Sequence, residues 1–387
     1  MAEVKPFRGV RYASASLDES LCPPYDVIGA DLAKDLRSRP RNAVYLELPQ
    51  GEGAARYARA KAAWKKWNAD GTLARDARPA FYVVEETYKH AGRTRVRRGF
   101  LAALGATPKA ARAIIPHERT LSKPKADRLR MLNALRVNVS PIFGVFADPS
   151  GAARKALAAA AKAKPVARGK SHAGVAYRLW RADEPALVAA LTRALAPRSI
   201  LIADGHHRYS VSRDHHKATK LPGSDAVLTY LVPDEDAGLV VLPTHRIAAK
   251  SLRARAESLA ALKKLPSLAA LEKALAASKN PYAFGLIENG FHLGLPKSAG
   301  GCRSGLAVEW LGSQLLADTQ PDQMSYTPDA GIAAKKAKAA NGAAVLVKPF
   351  SVAQVRAAAL KVGLLPQKST YFYPKIATGL AFRPLAP

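Results

Sequence analysis

Short apolar runs of β type alternate with helical stretches along almost the whole chain, and two tight turns join neighbouring runs directly. The runs AFYVVEETYKH and RTRVRRGFLAAL flank His90-Ala91-Gly92, and YAFGLIENGFHLGL turns at Asn289-Gly290. The length and composition of His90-Ala91-Gly92 predict a β-hairpin, and so does Glu288-Asn289-Gly290, because Asn-Gly supplies the positive φ angles of a type I′ turn. Because hairpins pair strands antiparallel whereas strand–helix alternation favours parallel pairing, we expect an α/β fold with a mixed sheet.

Several further stretches carry predictions that depend on short patterns. The apolar run AVYLELP at residues 43–49 predicts a strand, and residues 226–233 and 238–246 are predicted to pair as strands. Residues 252–277 are predicted to be helical with an interruption at Pro266. Residues 150–174, which are rich in Ala, Lys and Arg, predict a surface helix followed by a linker.

The length of the chain predicts more than one substructure. A chain of 387 residues exceeds what a single hydrophobic core normally serves. We expect an N-terminal α/β region at 1–110, a core at 111–235 with a basic insertion near 150–175, and a C-terminal α+β accessory domain at 236–387.

The charge balance is the unusual global property. The chain has 60 Lys and Arg against 30 Asp and Glu, a formal net charge of +30, which favours polyanions or phosphorylated small molecules as partners. The excess is spread along the chain, and aromatic residues make up only 7%. Nucleic acid therefore remains an alternative partner that is less favoured than a general basic surface.

The sequence does not predict a membrane protein or a cysteine-based scaffold. No apolar run approaches the roughly 20 residues that span a bilayer, and the N-terminus lacks the apolar stretch of a signal peptide, so we expect a cytoplasmic protein without a membrane partner. The two cysteines, Cys22 and Cys302, have no neighbouring cysteine, which disfavours disulfides and a zinc–thiolate site.

The stretch ILIADGHHRYSVSRDHH, residues 200–216, is the first candidate site. A buried strand is predicted to end at Asp204, and Gly205 then allows a sharp turn into a helix whose N-terminus attracts anions. Arg208 adds a phosphate donor, His206 and His207 add hydrogen-bond donors or proton carriers, and Asp204 is placed to assist Mg²⁺ through water. The stretch therefore predicts a phosphate-binding turn.

Two alternatives to the phosphate-binding turn remain open. The spacing of His206-His207 and His215-His216 does not match a helical metal pair, which disfavours a transition-metal site. The second alternative is that the Asp204 side chain caps the N-terminus of the helix. His215 and His216 are predicted to lie on the solvated face of the helix.

A second constellation lies in PHERTLSKPKADRLR, residues 116–130. Glu118 is a candidate general base for a hydroxyl group, because it is an isolated acid among cations. Phosphate contacts are predicted for the basic residues of this stretch: His117, Arg119, Lys125 and Arg128. The equally weighted alternative is a capping cluster with surface ion pairs.

Two shorter stretches add further candidates. In LCPPYDVI, the Pro-Pro turn would hold Tyr25 and Asp26 rigidly. In LPQKSTYFYPKIATGL, the polar candidates are Lys368, Ser369 and Thr370, whereas the aromatic residues are better explained by packing.

Taken in chain order, PPYDVI, PHERTL, NVSPIF, IADGHHRY and LPQKSTYFYPKIATGL resemble domain-of-unknown-function family 1015 over nearly the full length. The order also resembles, more distantly, the ParB/sulfiredoxin-like superfamily, which includes free-serine kinases. That resemblance implies a ParB/sulfiredoxin-like core with an insertion, ATP or ADP with Mg²⁺ held at residues 204–208, and Glu118 as the base.

The resulting hypothesis is a nucleotide-dependent phosphotransferase that acts on a small hydroxyl compound, with free L-serine as the first choice. Asp204 and His207 would assist Glu118 in catalysis. Two alternatives stay open: a nucleic-acid-binding or partition-type nucleotide switch, and a nucleotide-binding protein without enzymatic activity.

Overall fold

The structure is a computed structural model that describes residues 1–120 and 122–385, apart from the side chain of residue 123. These residues form two compact units. The first unit comprises Met1–Ile115, Thr120–Leu239 and Pro374–Pro387, and the second comprises Pro116–Arg119 and Val240–Tyr373. Each unit therefore contains segments that are distant in sequence.

Strands occur throughout both units. In chain order they are β1 Val4–Lys5, β2 Val10–Tyr12, β3 Leu73–Arg75, β4 Phe81–His90, β5 Arg93–Gly105, β6 Ile114–Ile115, β7 Val137–Asn138, β8 Ile142–Phe146, β9 Ala167–Lys170, β10 Ala176–Ala182, β11 Ile200–Asp204, β12 Ala226–Pro233, β13 Val240–Leu242, β14 His245–Ala248, β15 Ala260–Leu265, β16 Phe284–Ile287, β17 Phe291–Pro296, β18 Met324–Thr327, β19 Ala343–Leu346, β20 Tyr371–Tyr373 and β21 Arg383–Pro384.

Helices connect and cover these strands. In chain order they are α1 Ala30–Arg37, α2 Val44–Glu47, α3 Gly53–Ala69, α4 Ser122–Leu135, α5 Ala152–Ala160, α6 Pro185–Leu195, α7 His206–Thr219, α8 Arg253–Leu259, α9 Leu268–Ala277, α10 Ala307–Trp310, α11 Ala330–Ala339 and α12 Val352–Val362. Within the described ranges, none of them combines the length and apolar character that crossing a membrane requires.

The first unit is built on a mixed sheet of nine strands. Its order is β6-β11-β8-β12-β5-β4-β10-β9, with β1 paired to β5. The β11–β6 and β12–β8 pairs are parallel and the other pairs are antiparallel. Phe100, Phe146 and Trp180 belong to the apolar core beside this sheet. The predicted mixed α/β fold is confirmed.

Both predicted hairpins are present. β4 and β5 pair from Tyr82–Leu101 to His90–Arg93, and β16 and β17 pair antiparallel across the second turn. Asn289 and Gly290 have φ angles of 49° and 123°. The positive φ angles that Asn-Gly predicts are present, in a three-residue loop between the paired residues Ile287 and Phe291.

The second unit contains an antiparallel sheet of six strands in the order β15-β17-β16-β19-β14-β18. Leu271 of α9 and Ala333 of α11 pack into a core with Leu346 of β19. β13 and β20 form a separate antiparallel pair in the same unit. This is the α+β character that was predicted for the C-terminal part of the chain.

Three element predictions are wrong. Residues 44–47 form the helical turn α2, because a short buried apolar run has the same pattern in a helix as in a strand. Residues 260–265 form strand β15 within the stretch predicted as helix. The run 226–233 does not pair with 238–246: β12 lies between β5 and β8, whereas β13 pairs with β20.

The predicted domain boundaries stay a prediction. Strands from 1–110 and from 111–235 lie in the same sheet, and most of 236–387 belongs to the second unit. The basic stretch near 150–175 contains α5 and strand β9, which pairs with β10. The composition of this basic stretch indicated the helix but not strand β9, because Ala167–Lys170 lacks the alternation of apolar and polar residues that predicts a strand.

Candidate functional site

A glycine turn joins β11 to α7 in the first unit. β11 is apolar and buried up to Asp204, and Gly205 then takes a left-handed conformation with φ 89° and ψ 27°. α7 begins at His206, so the N–H groups of its first turn lie directly after the glycine. The local geometry is therefore the predicted strand–glycine–helix turn, and the alternative that Asp204 caps the helix stays open.

Two cations share the carboxylate of Asp204. Arg208 Nη2 donates to Asp204 Oδ2 at 2.8 Å, and Lys375 Nζ donates to Asp204 Oδ1. The side chains of Arg208 and Lys375 are each 10% exposed and that of Asp204 is 13% exposed. The cluster thus carries one excess positive charge at the end of a helix that already favours anions. This combination suits a phosphate group.

Arg208 is also tied to the neighbouring strand. Its Nη1 donates to the carbonyl oxygen of Pro141, which immediately precedes β8, at 2.5 Å. A Cβ added at Gly205 would lie 3.0 Å from Arg208 Nη2 and 3.1 Å from its Cζ. The backbone angle therefore favours glycine at this position, and a larger residue would also crowd the Arg208 guanidinium.

Arg208 borders a small cavity of about 50 Å³ in the first unit. Its lining residues come from α2, α4, β7, the segment between β7 and β8, α7 and β12: Glu47, Arg128, Met131, Leu132, Val137, Asn138, Val139, Ser140, Arg208, Val211, Ser212 and Val227. Arg128 and Arg208 are both more than nine-tenths buried. The cavity therefore brings two of the predicted phosphate-binding arginines to the same place.

Tyr25 lies beside the same arginines. The Arg128 guanidinium is 4.1 Å from the centre of the Tyr25 ring, and the backbone N–H of Tyr25 donates to Glu47 Oε1 at 3.1 Å. Burial raises the pKa of Tyr25, and the nearby charges of Arg208 and Arg128 oppose that shift. The predicted rigid turn is a single 3-10 turn at Tyr25–Val27, which also contains Asp26.

Lys125 is engaged by an ion pair within the first unit. Its Nζ lies 3.1 Å from Asp214 Oδ2 of α7. Arg128 is similarly paired with Asp127, to whose Oδ2 its Nε donates at 2.9 Å. The predicted role of Lys125 in phosphate binding stays a prediction, and this ion pair is the alternative that the sequence left open.

The second unit contains a separate polar cluster around Glu118. Glu118 Oε1 accepts from the backbone N–H of Ser369 at 2.9 Å and from that of Thr370 at 3.3 Å. His117 Nε2 lies 2.9 Å from Thr370 Oγ1. Residues that lie about 250 positions apart in sequence thus form one cluster, in which the backbone positions the predicted base.

The turn that holds Glu118 has an unusual backbone. Lys368 has a φ of 57°, the left-handed region that non-glycine residues rarely adopt. Arg246 Nη2 donates to the carbonyl oxygen of Lys368 at 3.4 Å. Burial lowers the pKa of Arg246 to about 10, and Tyr326 and Glu118 act against this shift. A buried guanidinium therefore supports the turn that orients Glu118.

The predicted site residues thus fall into the two units as two sets. The first unit contains Tyr25, Asp26, Lys125, Arg128, Asp204, Gly205, His206, His207 and Arg208. The second unit contains His117, Glu118, Arg119, Lys368, Ser369 and Thr370. His206 is buried, His207 is half-buried and Arg119 is exposed.

The prediction for His215 and His216 is wrong. His215 is 3% exposed, because α7 buries the side chains at positions 208, 211, 212 and 215. Burial lowers the pKa of His215. His216 is half-buried, with its Nδ1 2.8 Å from Ser224 Oγ. Both histidines therefore have packing roles.

Asp204 does not provide a metal site by itself. Both of its carboxylate oxygens already accept from cations, one from Arg208 and one from Lys375. Across the described part of the chain, no three His, Cys, Asp or Glu side chains converge as ligands would. The predicted role of Asp204 toward Mg²⁺, mostly through phosphates and water, therefore stays a prediction.

Sequence reasoning did not assign Lys375, Glu47 or Arg246 to a site. Lys375 lies in the quoted stretch LPQKSTYFYPKIATGL, yet nothing in that stretch indicates a partner 171 residues away. Glu47 lies in the run that was predicted to be a strand. Arg246 lies in strand β14, and no local sequence pattern indicates that this arginine is buried.

The fold and the two clusters define a two-unit α/β protein with a strand–glycine–helix turn beside a cluster of two cations and one carboxylate. The family model described as "Protein of unknown function (DUF1015)" matches residues 4–312. The chain belongs to this family. A comparison with curated proteins finds no match.

Several solved structures are similar to the chain. A conserved hypothetical protein from Pyrococcus furiosus aligns with a TM-score of 0.40 and 14% identity, over 72% of this chain and 92% of that chain. A free serine kinase in complex with AMP aligns with a TM-score of 0.40 and 12% identity, over 71% and 86%. SbnI with a C-terminal truncation, from Staphylococcus aureus, aligns with a TM-score of 0.40 and 9% identity, over 72% and 85%.

Proposed function

We propose that the glycine turn of the first unit binds the phosphates of a nucleotide, ATP or ADP, and that the protein transfers a phosphoryl group to a small hydroxyl compound. One observation carries the proposal: Arg208 and Lys375 share a single carboxylate at the N-terminus of α7. The excess positive charge and the positive end of the α7 dipole both favour a phosphate group. Free L-serine is the first acceptor to test.

The proposed reaction requires mainly positioning and charge neutralisation. The acceptor hydroxyl oxygen attacks the terminal phosphorus, the bond from that phosphorus to the bridging oxygen breaks, and the hydroxyl proton passes to a base. Arg208 and Lys375 would stabilise the negative charge of the phosphoryl oxygens. Arg208 is suited to this role because its bonds to Asp204 and Pro141 hold the guanidinium rigidly.

Glu118 remains the predicted base. In the second unit, the N–H groups of Ser369 and Thr370 donate to its Oε1 and hold the carboxylate in place. His207 remains a predicted proton carrier at the first turn of α7. Any Mg²⁺ is expected to bind through the phosphates of the nucleotide, because both oxygens of Asp204 are engaged.

The first experiment measures nucleotide binding. ATP, ADP and AMP are each added to the protein and the shift in Tm is recorded, since a ligand at about 100 times its Kd stabilises the native state by about 2.7 kcal/mol. We expect Arg208→Gln to abolish the shift. Arg213→Gln, on the exposed face of the same helix, is the matched control and should keep it. Equal shifts in both variants would contradict the assignment of Arg208.

The second experiment measures phosphoryl transfer. The protein is incubated with nucleotide, Mg²⁺ and L-serine, and phosphoserine is measured by mass spectrometry. Glu118→Gln should reduce product formation on the order of 10²-fold or more, the usual contribution of a general base. Glu272→Gln, at an exposed position of α9, should not.

The outcomes separate the alternatives. Nucleotide hydrolysis that ignores every small hydroxyl compound would refute the transferase. A nucleotide-dependent rise in Tm without any turnover would instead support a nucleotide-binding protein without enzymatic activity.

A further inference from the structure

Three helices of the first unit, α3, α4 and α7, form a continuous layer in which α4 packs against both of the others. Together their sequences contain twelve Lys and Arg against two Asp and no Glu. The layer therefore has six cationic residues for each acidic residue, whereas the whole chain has two cationic residues for each acidic residue. This layer therefore accounts for 10 of the 30 excess positive charges of the chain.

The two acids of the layer are already neutralised. Asp127 accepts from Arg128 and from the Tyr57 hydroxyl, and Asp214 is paired with Lys125 at 3.1 Å. The exposed cations of the layer, which we call the basic face, are Arg59, Lys61, Lys65, Lys66, Arg130, Arg213 and Lys217. The basic face consequently has a net positive charge that the layer itself does not compensate.

Several features of the basic face distinguish between classes of polyanion. The large apolar side chains that are exposed in the described residues are Met1, Val96, Val166, Ile332, Leu360 and Leu364, and none lies on these three helices. A membrane-binding helix would need such side chains for insertion. The face offers charge alone, which suits the sugar–phosphate backbone of a nucleic acid.

The aromatic residues of α3 favour a duplex over a single strand. Binding of a single strand usually relies on exposed aromatic side chains on which bases stack. Here the Tyr57 hydroxyl donates to Asp127, and the Trp64 ring packs edge-on against Phe382 with 5.6 Å between ring centres. Both side chains are half-buried and engaged within the unit.

The dimensions of the basic face agree with this partner. α3 has 17 residues and is therefore about 25 Å long. A duplex carries one charge per about 1.7 Å of its axis, so that length of α3 corresponds to about 15 phosphates. We propose that the basic face of α3, α4 and α7 binds the phosphate backbone of a nucleic-acid duplex without reading its sequence.

The test compares two triple charge reversals that change the net charge equally. The first is Lys61→Glu, Lys65→Glu and Lys66→Glu on α3. The control is a triple reversal of exposed lysines on α11 of the second unit: Lys335→Glu, Lys336→Glu and Lys338→Glu. Binding of fluorescent 20-base-pair DNA and RNA duplexes is measured by anisotropy between 50 and 200 mM salt, with phosphatidylserine vesicles as a third probe.

We expect the α3 reversal to weaken duplex binding on the order of 10²-fold near 0.1 M salt and to reduce the salt slope by about 2.7, which corresponds to three lost phosphate contacts. The α11 reversal should change affinity less than about threefold. The corresponding α3 glutamine variant and the melting curves of all variants check that folding persists.

Three results would overturn the proposal. Equal losses in the two reversals would assign binding to the overall charge. Binding to vesicles without binding to either duplex would assign the face to a membrane. Strong dependence on base sequence would contradict contact with the backbone alone. Binding of either duplex that only the α3 reversal abolishes supports the proposal.

Discussion

Replacing Gly205 by alanine tests the geometry of the glycine turn. Alanine at a φ of 89° costs about 1–2 kcal/mol because its Cβ crowds the backbone. The same Cβ would lie 3.0 Å from Arg208 Nη2, so the guanidinium must move away from Asp204. Weakening a charged hydrogen bond of this kind costs a further 1.5–3 kcal/mol or so, which gives roughly 2.5–5 kcal/mol in total.

Gly71→Ala is the matched control. Gly71 also has a positive φ, 75°, but an added Cβ meets nothing within 4 Å, so only the backbone cost of about 1–2 kcal/mol is expected. The free energy of unfolding is measured by urea titration with tryptophan fluorescence. Both variants carry Trp310→Phe, which confines the signal to the first unit. The remaining tryptophans all belong to that unit: Trp64, Trp67 and Trp180.

The difference between the two variants isolates the contact with Arg208. Gly205→Ala should lose at least about 1.5 kcal/mol more than Gly71→Ala, the minimum for a charged hydrogen bond. It should also lose the shift in Tm caused by nucleotide, whereas Gly71→Ala keeps it. If both variants lose the same free energy and respond equally to nucleotide, the turn does not position Arg208 as described.

Three further predictions concern buried charges. Burial lowers the pKa of His245 to about 4, so stability present above pH 6.5 is lost as the pH falls toward 4; His245→Asn should remove up to about 3 kcal/mol of this dependence in urea unfolding between pH 4 and 7. Glu86→Gln should cost about 3–5 kcal/mol in the same assay, because it leaves Arg97 buried without its counter-ion. Lys375→Gln should weaken nucleotide binding about tenfold by titration calorimetry while the Asp204–Arg208 ion pair keeps the Tm within a few degrees.

Local chemistry explains which parts of the fold the sequence predicts. The Asn289-Gly290 hairpin and the turn at Gly205 depend on the φ preference of one or two residues, and both are present. The strand predicted at 43–49 is wrong because a four-residue apolar run does not distinguish a strand from a buried helical turn. Strand β15 was not predicted for a related reason, since its LKK residues are also compatible with a helix like those that precede and follow it.

Contacts between distant segments explain what the sequence leaves out of the candidate sites. Each candidate stretch of the sequence contains residues that belong to a cluster. Which stretches share a cluster depends on how the chain folds. Pro116–Arg119 belongs to the second unit because the short segment runs beside Leu365, whose N–H donates to the carbonyl oxygen of His117 at 2.8 Å. Lys375 returns to the first unit and contacts Asp204. Neither of these long-range contacts has a periodicity or turn signal in the sequence. The residues of the two clusters could therefore be identified only from the tertiary structure.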